Sequence, residues 1–88
     1  VVFTEVGYPA ADWGARRPWE LPAGAATNPQ LQADAYAAFL EAVWPQPWLG
    51  GAYWWKWFSA PGGEAAEDPF GFAGRPAEEV VRSAWARR

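Results

Sequence analysis

The chain has no cysteine and no histidine among its 88 residues, so any chemistry it performs falls to carboxylates. Disulfides, thiol catalysis, zinc fingers and histidine-based acid–base mechanisms are excluded. One carboxylate stands out by its setting. Glu5 lies in VVFTEVGY, a nearly unbroken, β-branched apolar run that reads as a strand buried on both faces. An acid there is costly unless it is paired, protonated or at the strand's end. Gly7, Tyr8 and Pro9 stop the run directly afterwards, which puts Glu5 near the carboxyl end. Two readings of it stay open: a catalytic carboxylate at a strand end, or a strand-end acid held by backbone donors or an arginine.

The second candidate is YWWKWF, residues 53–58. Tryptophan and tyrosine present flat apolar faces, and sugar rings offer axial C–H bonds to such faces. Packing within the protein must account for most of these rings. Trp57, last on the face that alternation assigns to Tyr53, Trp55 and Trp57, is the first choice for a substrate platform. Trp55 lies deeper on that face, and Trp54 points the other way, toward a helical layer. Tyr8 at the first strand's end, and Trp13 and Trp19 in the loop beyond, are candidates for further substrate contacts. The two tryptophans fit equally a loop folded back on the body. Glu64, Glu67 and Asp68 read as solvated acids or local caps. GGEAAEDPFG lacks the alternating oxygens of a calcium loop, and no glycine-rich phosphate cradle is present, so neither metal nor cofactor is expected.

Elements must hold these residues. After the first strand comes an irregular stretch from Pro9 to about Thr27, long enough to be a binding loop or lid. Asn28 is a good N-cap and Pro29 a favourable first helical residue. The helix that follows places Leu31, Ala35, Ala38, Phe39 and Ala42 on one stripe, and Pro45 and Pro47 prevent it from passing Trp44. A second strand is expected over about Leu49 to Phe58. After a second long loop, a last helix from Pro76 carries the stripe Ala77, Val80, Val81, Ala84 and Trp85. Glu78 and Glu79 lie at its positive end, with Arg87 and Arg88 at the other. The order βαβα predicts two parallel strands with a right-handed crossover.

Eight tryptophans, three tyrosines and five phenylalanines are more than so small a core needs. They point to a core shared with further sequence or to a surface that stacks on flat ligands. The formal net charge of −3, without clustered basic residues, argues against a nucleic-acid surface. No apolar run is long enough to cross a bilayer. A chain without methionine that opens inside a strand reads as part of a longer one.

TEVGY, a long loop with PW, QADAYAAFLEAVW, PWLGGAYWWKWF and GRPAEEVVRSAW together resemble the carboxyl-terminal quarter of a clan A retaining glycoside hydrolase, most closely family 113, whose characterised members are β-mannanases. The resemblance covers essentially the whole chain. It implies an α/β fold in which residues 1–88 form the seventh and eighth βα units of a (β/α)8 TIM barrel, a partial catalytic domain that needs the missing amino-terminal strands. It further implies that Glu5 is the nucleophile, that Trp57 is the floor for the sugar at the cleavage point, and that the acid/base glutamate lies outside this chain. Retaining hydrolysis requires two carboxyl groups about 5–5.5 Å apart. The chain alone is therefore expected to be inactive, with a β-linked polysaccharide as the whole protein's substrate. Two other readings compete: a non-catalytic carbohydrate-binding module, and a small protein that assembles a barrel from several copies through its tryptophan-rich strand.

Overall fold

The computed structural model describes residues 1–20, 24–58 and 67–87. Glu64 lies outside them. Among these residues four elements follow in the expected order: β1 (Val2–Val6), α1 (Pro29–Val43), β2 (Gly51–Trp54) and α2 (Pro76–Ala86). The two strands pair in parallel. Both helices pack on one face of this small sheet, where Phe3, Val6, Ala52 and Trp54 meet Tyr36, Leu40 and Val81. None of these helices is long and apolar enough to cross a membrane.

Asn28 starts α1 as its residue type predicts. Its side-chain oxygen accepts from the Leu31 amide at 3.0 Å, and Pro29 follows at the first helical position. The same side chain donates to Asp12 at 2.8 Å, and the Asn28 amide donates to the Ala10 carbonyl at 2.7 Å. One residue thus caps the helix and ties down the preceding loop. Asn28→Ala is expected to cost about 1–2 kcal/mol, read as a lowered melting temperature. Asn28→Asp, which keeps the acceptor but faces Asp12, should recover only part of the loss.

Four details differ from the sequence-based expectation. First, β1 is not buried on both faces: Val6 is buried and Phe3 half-buried, but Val2, Thr4 and Glu5 are exposed. Helices cover one face of the sheet, and Val2, Thr4 and Glu5 stay exposed among the described residues. Second, the stripe on α1 is rotated. Gln32, Ala33, Tyr36 and Leu40 are the buried residues, with Phe39 and Val43 packed beside them, whereas Ala38 and Ala42 are exposed. Alanine carries little burial energy, so Tyr36 and Leu40, one turn apart, set the inward face.

Third, β2 ends at Trp54 rather than Phe58. Its partner β1 is only five residues long, so the ladder runs out; Lys56 instead donates its amide to the Phe70 carbonyl at 3.1 Å. Fourth, the stretch 9–27 is not wholly irregular. Ala11 and Thr27 form an antiparallel bridge, and Pro9, Ala10 and Ala11 are buried.

The last helix starts at Pro76 as expected and ends at Ala86, with Arg87 as its C-cap. Ala77, Val81 and Ala84 are buried, and Trp85, though half-exposed, lies 5.4 Å from the Trp44 ring. Trp44 also donates its indole N–H to the Ala84 carbonyl at 3.1 Å, which joins the two helices through a buried polar contact. Arg82 pairs with Glu78 at 2.6 Å. That pair is exposed and contributes little.

Candidate functional site

Strict alternation along β1 would put Glu5 on the same face as Phe3, pointing into the helices. The structure avoids this with a slip in register. Phe3 pairs with Ala52 and Val6 with Trp54, so three steps along β1 match two along β2. The extra residue is a β-bulge at Thr4–Glu5, a device that re-aims side chains. Phe3 and Val6 both face the helical layer, while Thr4 and Glu5 are both exposed. The bulge therefore removes the burial cost that made Glu5 conspicuous. Among the described residues, no donor forms a hydrogen bond or ion pair with the Glu5 carboxylate.

Trp55 reaches the same end of the sheet. Its amide donates to the Val6 carbonyl at 2.6 Å, and its own carbonyl accepts from the Tyr36 hydroxyl at 3.2 Å. Gly7 abuts it so closely that a β-carbon there would overlap the Trp55 carbonyl oxygen and lie 2.9 Å from the Trp55 β-carbon. Glycine at position 7 is thus required by the approach of the two strand ends. The Trp55–Lys56 peptide is cis. Trp55 is 44% exposed, and its ring makes no ring–ring contact among the described residues.

Trp57 is placed differently. Past Trp54 the strand has ended, so a period of two no longer applies, and Trp57 does not continue the face of Tyr53 and Trp55. Its ring lies 5.4 Å from Phe72 and lines an open groove of about 540 Å³ with Trp54, Val81 and Trp85, on the helical side. Trp54 packs against the helical layer as expected, 5.8 Å from Trp44 and 6.2 Å from Phe39. The structure joins Val6, the residue after Glu5, to Trp55 at one strand end and packs Trp57 against Phe72 on the helical side.

The remaining candidates are dispersed. Tyr8 is half-buried, edge-on to Tyr36 at 5.3 Å, and burial pushes its hydroxyl pKa up. Trp13 is half-exposed in the first loop, with a left-handed backbone (φ 71°) and the Arg16 guanidinium 5.1 Å above its ring. Trp19 is 78% exposed. Glu67 is exposed.

Asp68 is neither free nor fully solvated. It accepts from the Phe70 amide at 2.8 Å, the local cap expected of it, and also forms an ion pair with Lys56 at 2.8 Å. Burial pushes its carboxyl pKa up, but the Lys56 ammonium, the Phe70 amide and nearby Arg75 outweigh burial and hold it below the usual range. A lowered folded pKa stabilises the fold above the unfolded value and loses that contribution as pH falls through the folded one. The melting-temperature gap between the wild type and Asp68→Asn should therefore be full above about pH 4 and close as the pH drops further.

Sequence reasoning missed Gln32, which holds the two loops together. It is completely buried, and its amide nitrogen donates to the carbonyls of Tyr8 at 2.9 Å and Gly71 at 3.2 Å. Among the described residues its side-chain oxygen has no hydrogen-bond partner. A polar residue beside Ala33 and Tyr36 on the inward stripe was the available signal. Ala10 reinforces the junction by donating to the Pro69 carbonyl at 2.7 Å.

Comparison with known proteins bears on this site. The model of Glycoside Hydrolase Family 113 matches residues 1–71. Two solved structures, each described as a GH113 beta-1,4-mannanase, superpose over 99% of the chain. One is 33% identical with a TM-score of 0.84; the other, a complex, is 29% identical with a TM-score of 0.81. The chain spans 29% of the length of each. No curated protein sequence matches it.

Proposed function

The chain belongs to glycoside hydrolase family 113, and from that premise we propose that it forms the nucleophile-bearing portion of a retaining β-1,4-mannanase, as the seventh and eighth βα units of a (β/α)8 barrel. The observation that carries this reading is the bulge at Thr4–Glu5. It turns an acid out of a packed strand face onto the open face, next in sequence to the Val6 whose carbonyl accepts from Trp55, at the carboxyl end of two parallel strands. In barrels of this class that end is where catalytic residues gather.

In the proposed reaction a Glu5 oxygen attacks the anomeric carbon of the bound mannosyl unit. The glycosidic bond breaks as a second carboxylic acid, from outside these residues, protonates the leaving oxygen. The resulting glycosyl ester on Glu5 is then cleaved by water, activated by that same second group acting as base. Two inversions give net retention. Trp55 offers an apolar face beneath the sugar; its position next to Gly7 favours it over Trp57 for that role. Tyr8, Trp13 and Trp19 are second-rank substrate contacts, of which Trp13 and Trp19 have the exposure to serve outer sugars.

By itself the 88-residue chain hydrolyses nothing, since it holds one carboxylate of the required pair. A purely sugar-binding module is disfavoured by the parallel βαβα order. The test is an assay of the full-length protein on β-1,4-mannan and β-1,4-glucan, with the first-formed anomer followed by proton NMR. Release of the β-anomer from mannan is the expected result. First-formed α-anomer would refute the retaining mechanism, and absence of cleavage of either polymer would refute the enzymatic reading.

A further inference from the structure

We propose that Lys56 is a positioning residue for the Trp55 platform, and that Asp68 in the second loop holds Lys56 in place to do so. The inference rests on Trp55 being the sugar floor, and assigns the means by which that ring is oriented.

The backbone of Trp55 is fixed by the Val6 carbonyl, the Tyr36 hydroxyl and the close approach of Gly7. Those contacts leave its side-chain torsions free. Trp44, Trp54, Trp57 and Trp85 each have ring partners that fix their planes. Trp55 has none among the described residues. What faces its ring instead is a cation: the Lys56 ammonium lies 5.1 Å from the ring centroid, within the range of a cation–π contact. The same ammonium is 4.9 Å from the centroid of Phe58.

A lysine is a flexible tether, so it orients a neighbour only if its own head is held. Asp68 holds it at 2.8 Å, and both side chains are mostly shielded from solvent. Asp68 is held in turn: the Phe70 amide donates to its carboxylate, and the Arg75 guanidinium donates to its carbonyl at 3.0 Å. Arg75 also donates to the Pro69 carbonyl at 3.1 Å and to the Gly71 carbonyl. From the Lys56 side, the backbone amide bonds Phe70. The ammonium is therefore pinned between the hydrogen-bonded stretch 68–71 and the rim of β2. Rotating Trp55 away from it gives up the cation–π contact. The ring is held by electrostatics on the lysine side and left open for a sugar elsewhere.

A plain loop anchor would stabilise the fold without affecting substrate. The two roles separate in Lys56→Met, which keeps the apolar stem and removes the charge, and Lys56→Arg, which keeps both. In the full-length protein, Lys56→Met is expected to raise KM for manno-oligosaccharides about five- to tenfold, more than it lowers kcat, and Lys56→Arg to restore most of the affinity. An independent readout is the indole N–H resonance of Trp55, assigned through Trp55→Phe. It should shift in both Lys56→Met and Asp68→Asn, while the Trp44 resonance stays in place. If Lys56→Met lowers only the melting temperature, with KM and the Trp55 resonance unmoved, the residue is an anchor and the proposal is wrong. A resonance that shifts in a protein without mannan activity would retain the positioning and discard the sugar platform, which separates this inference from the functional reading beneath it.

Discussion

Replacing Glu5 by glutamine is expected to reduce β-mannan hydrolysis in the full-length protein by roughly 10³-fold or more while binding of manno-oligosaccharides survives. Glutamine has the same shape but cannot form the glycosyl ester, so the first displacement loses its nucleophile. The fold should tolerate the change. Glu5 is exposed and has no hydrogen-bond or salt-bridge partner among the described residues, so substitution there breaks no polar contact among them. Activity should therefore fall with the melting temperature nearly constant, a combination that a structural acid would not give. Glu5→Ala supplies a sharper control. With the carboxylate gone and a small anion such as azide present, direct attack of azide on the anomeric carbon should yield the α-glycosyl azide, with one inversion in place of two. A β-glycosyl azide would mean that a different residue is the nucleophile and Glu5 the acid/base. Unchanged turnover in Glu5→Gln would remove Glu5 from the chemistry altogether.

Tyr36→Ala is the substitution with the largest expected effect on stability. Tyr36 has no exposed surface, and its ring lies 5.3 Å from both Tyr8 and Phe72 and 6.0 Å from Trp54. It therefore joins the helix to both strand ends and to the second loop. Burial pushes its hydroxyl pKa up, so at any physiological pH it remains protonated and able to donate to the Trp55 carbonyl. Truncation of a buried aromatic costs about 3–5 kcal/mol. That is a large share of the 5–15 kcal/mol that holds a typical domain together. A melting temperature lower by many degrees, or loss of soluble protein, is expected. Tyr36→Phe separates the two contributions: it keeps the packing, removes one hydrogen bond, and should cost about 1 kcal/mol plus whatever the orphaned carbonyl adds. If Tyr36→Ala melted within a degree or two of wild type, the packing centred on this ring would be wrong. A loss of substrate affinity in Tyr36→Phe beyond its loss of stability would tie the hydroxyl to the setting of Trp55.

The sequence determined the element order, the start of α1 at Asn28–Pro29, that of α2 at Pro76 and the parallel pairing, because caps, prolines and apolar runs act locally. It also singled out Glu5, since an acid inside an apolar run has few inexpensive explanations. Its apolar pattern misjudged the phase of α1, where alanines on several faces blur the stripe and Tyr36 with Leu40 decides. It overran β2, because a strand's length is set by its partner, which is remote in sequence. Where the candidate residues lie was decided by tertiary structure. Which face Glu5 occupies depends on one extra residue in a pairing between chain segments almost fifty positions apart. Period-two counting carries no trace of such a slip and would have sent the carboxylate into the core. That Trp55, rather than Trp57, reaches the strand end next to Gly7 has the same origin: it follows from where the ladder stops and from the close approach at Gly7, both properties of two strands and visible in neither alone.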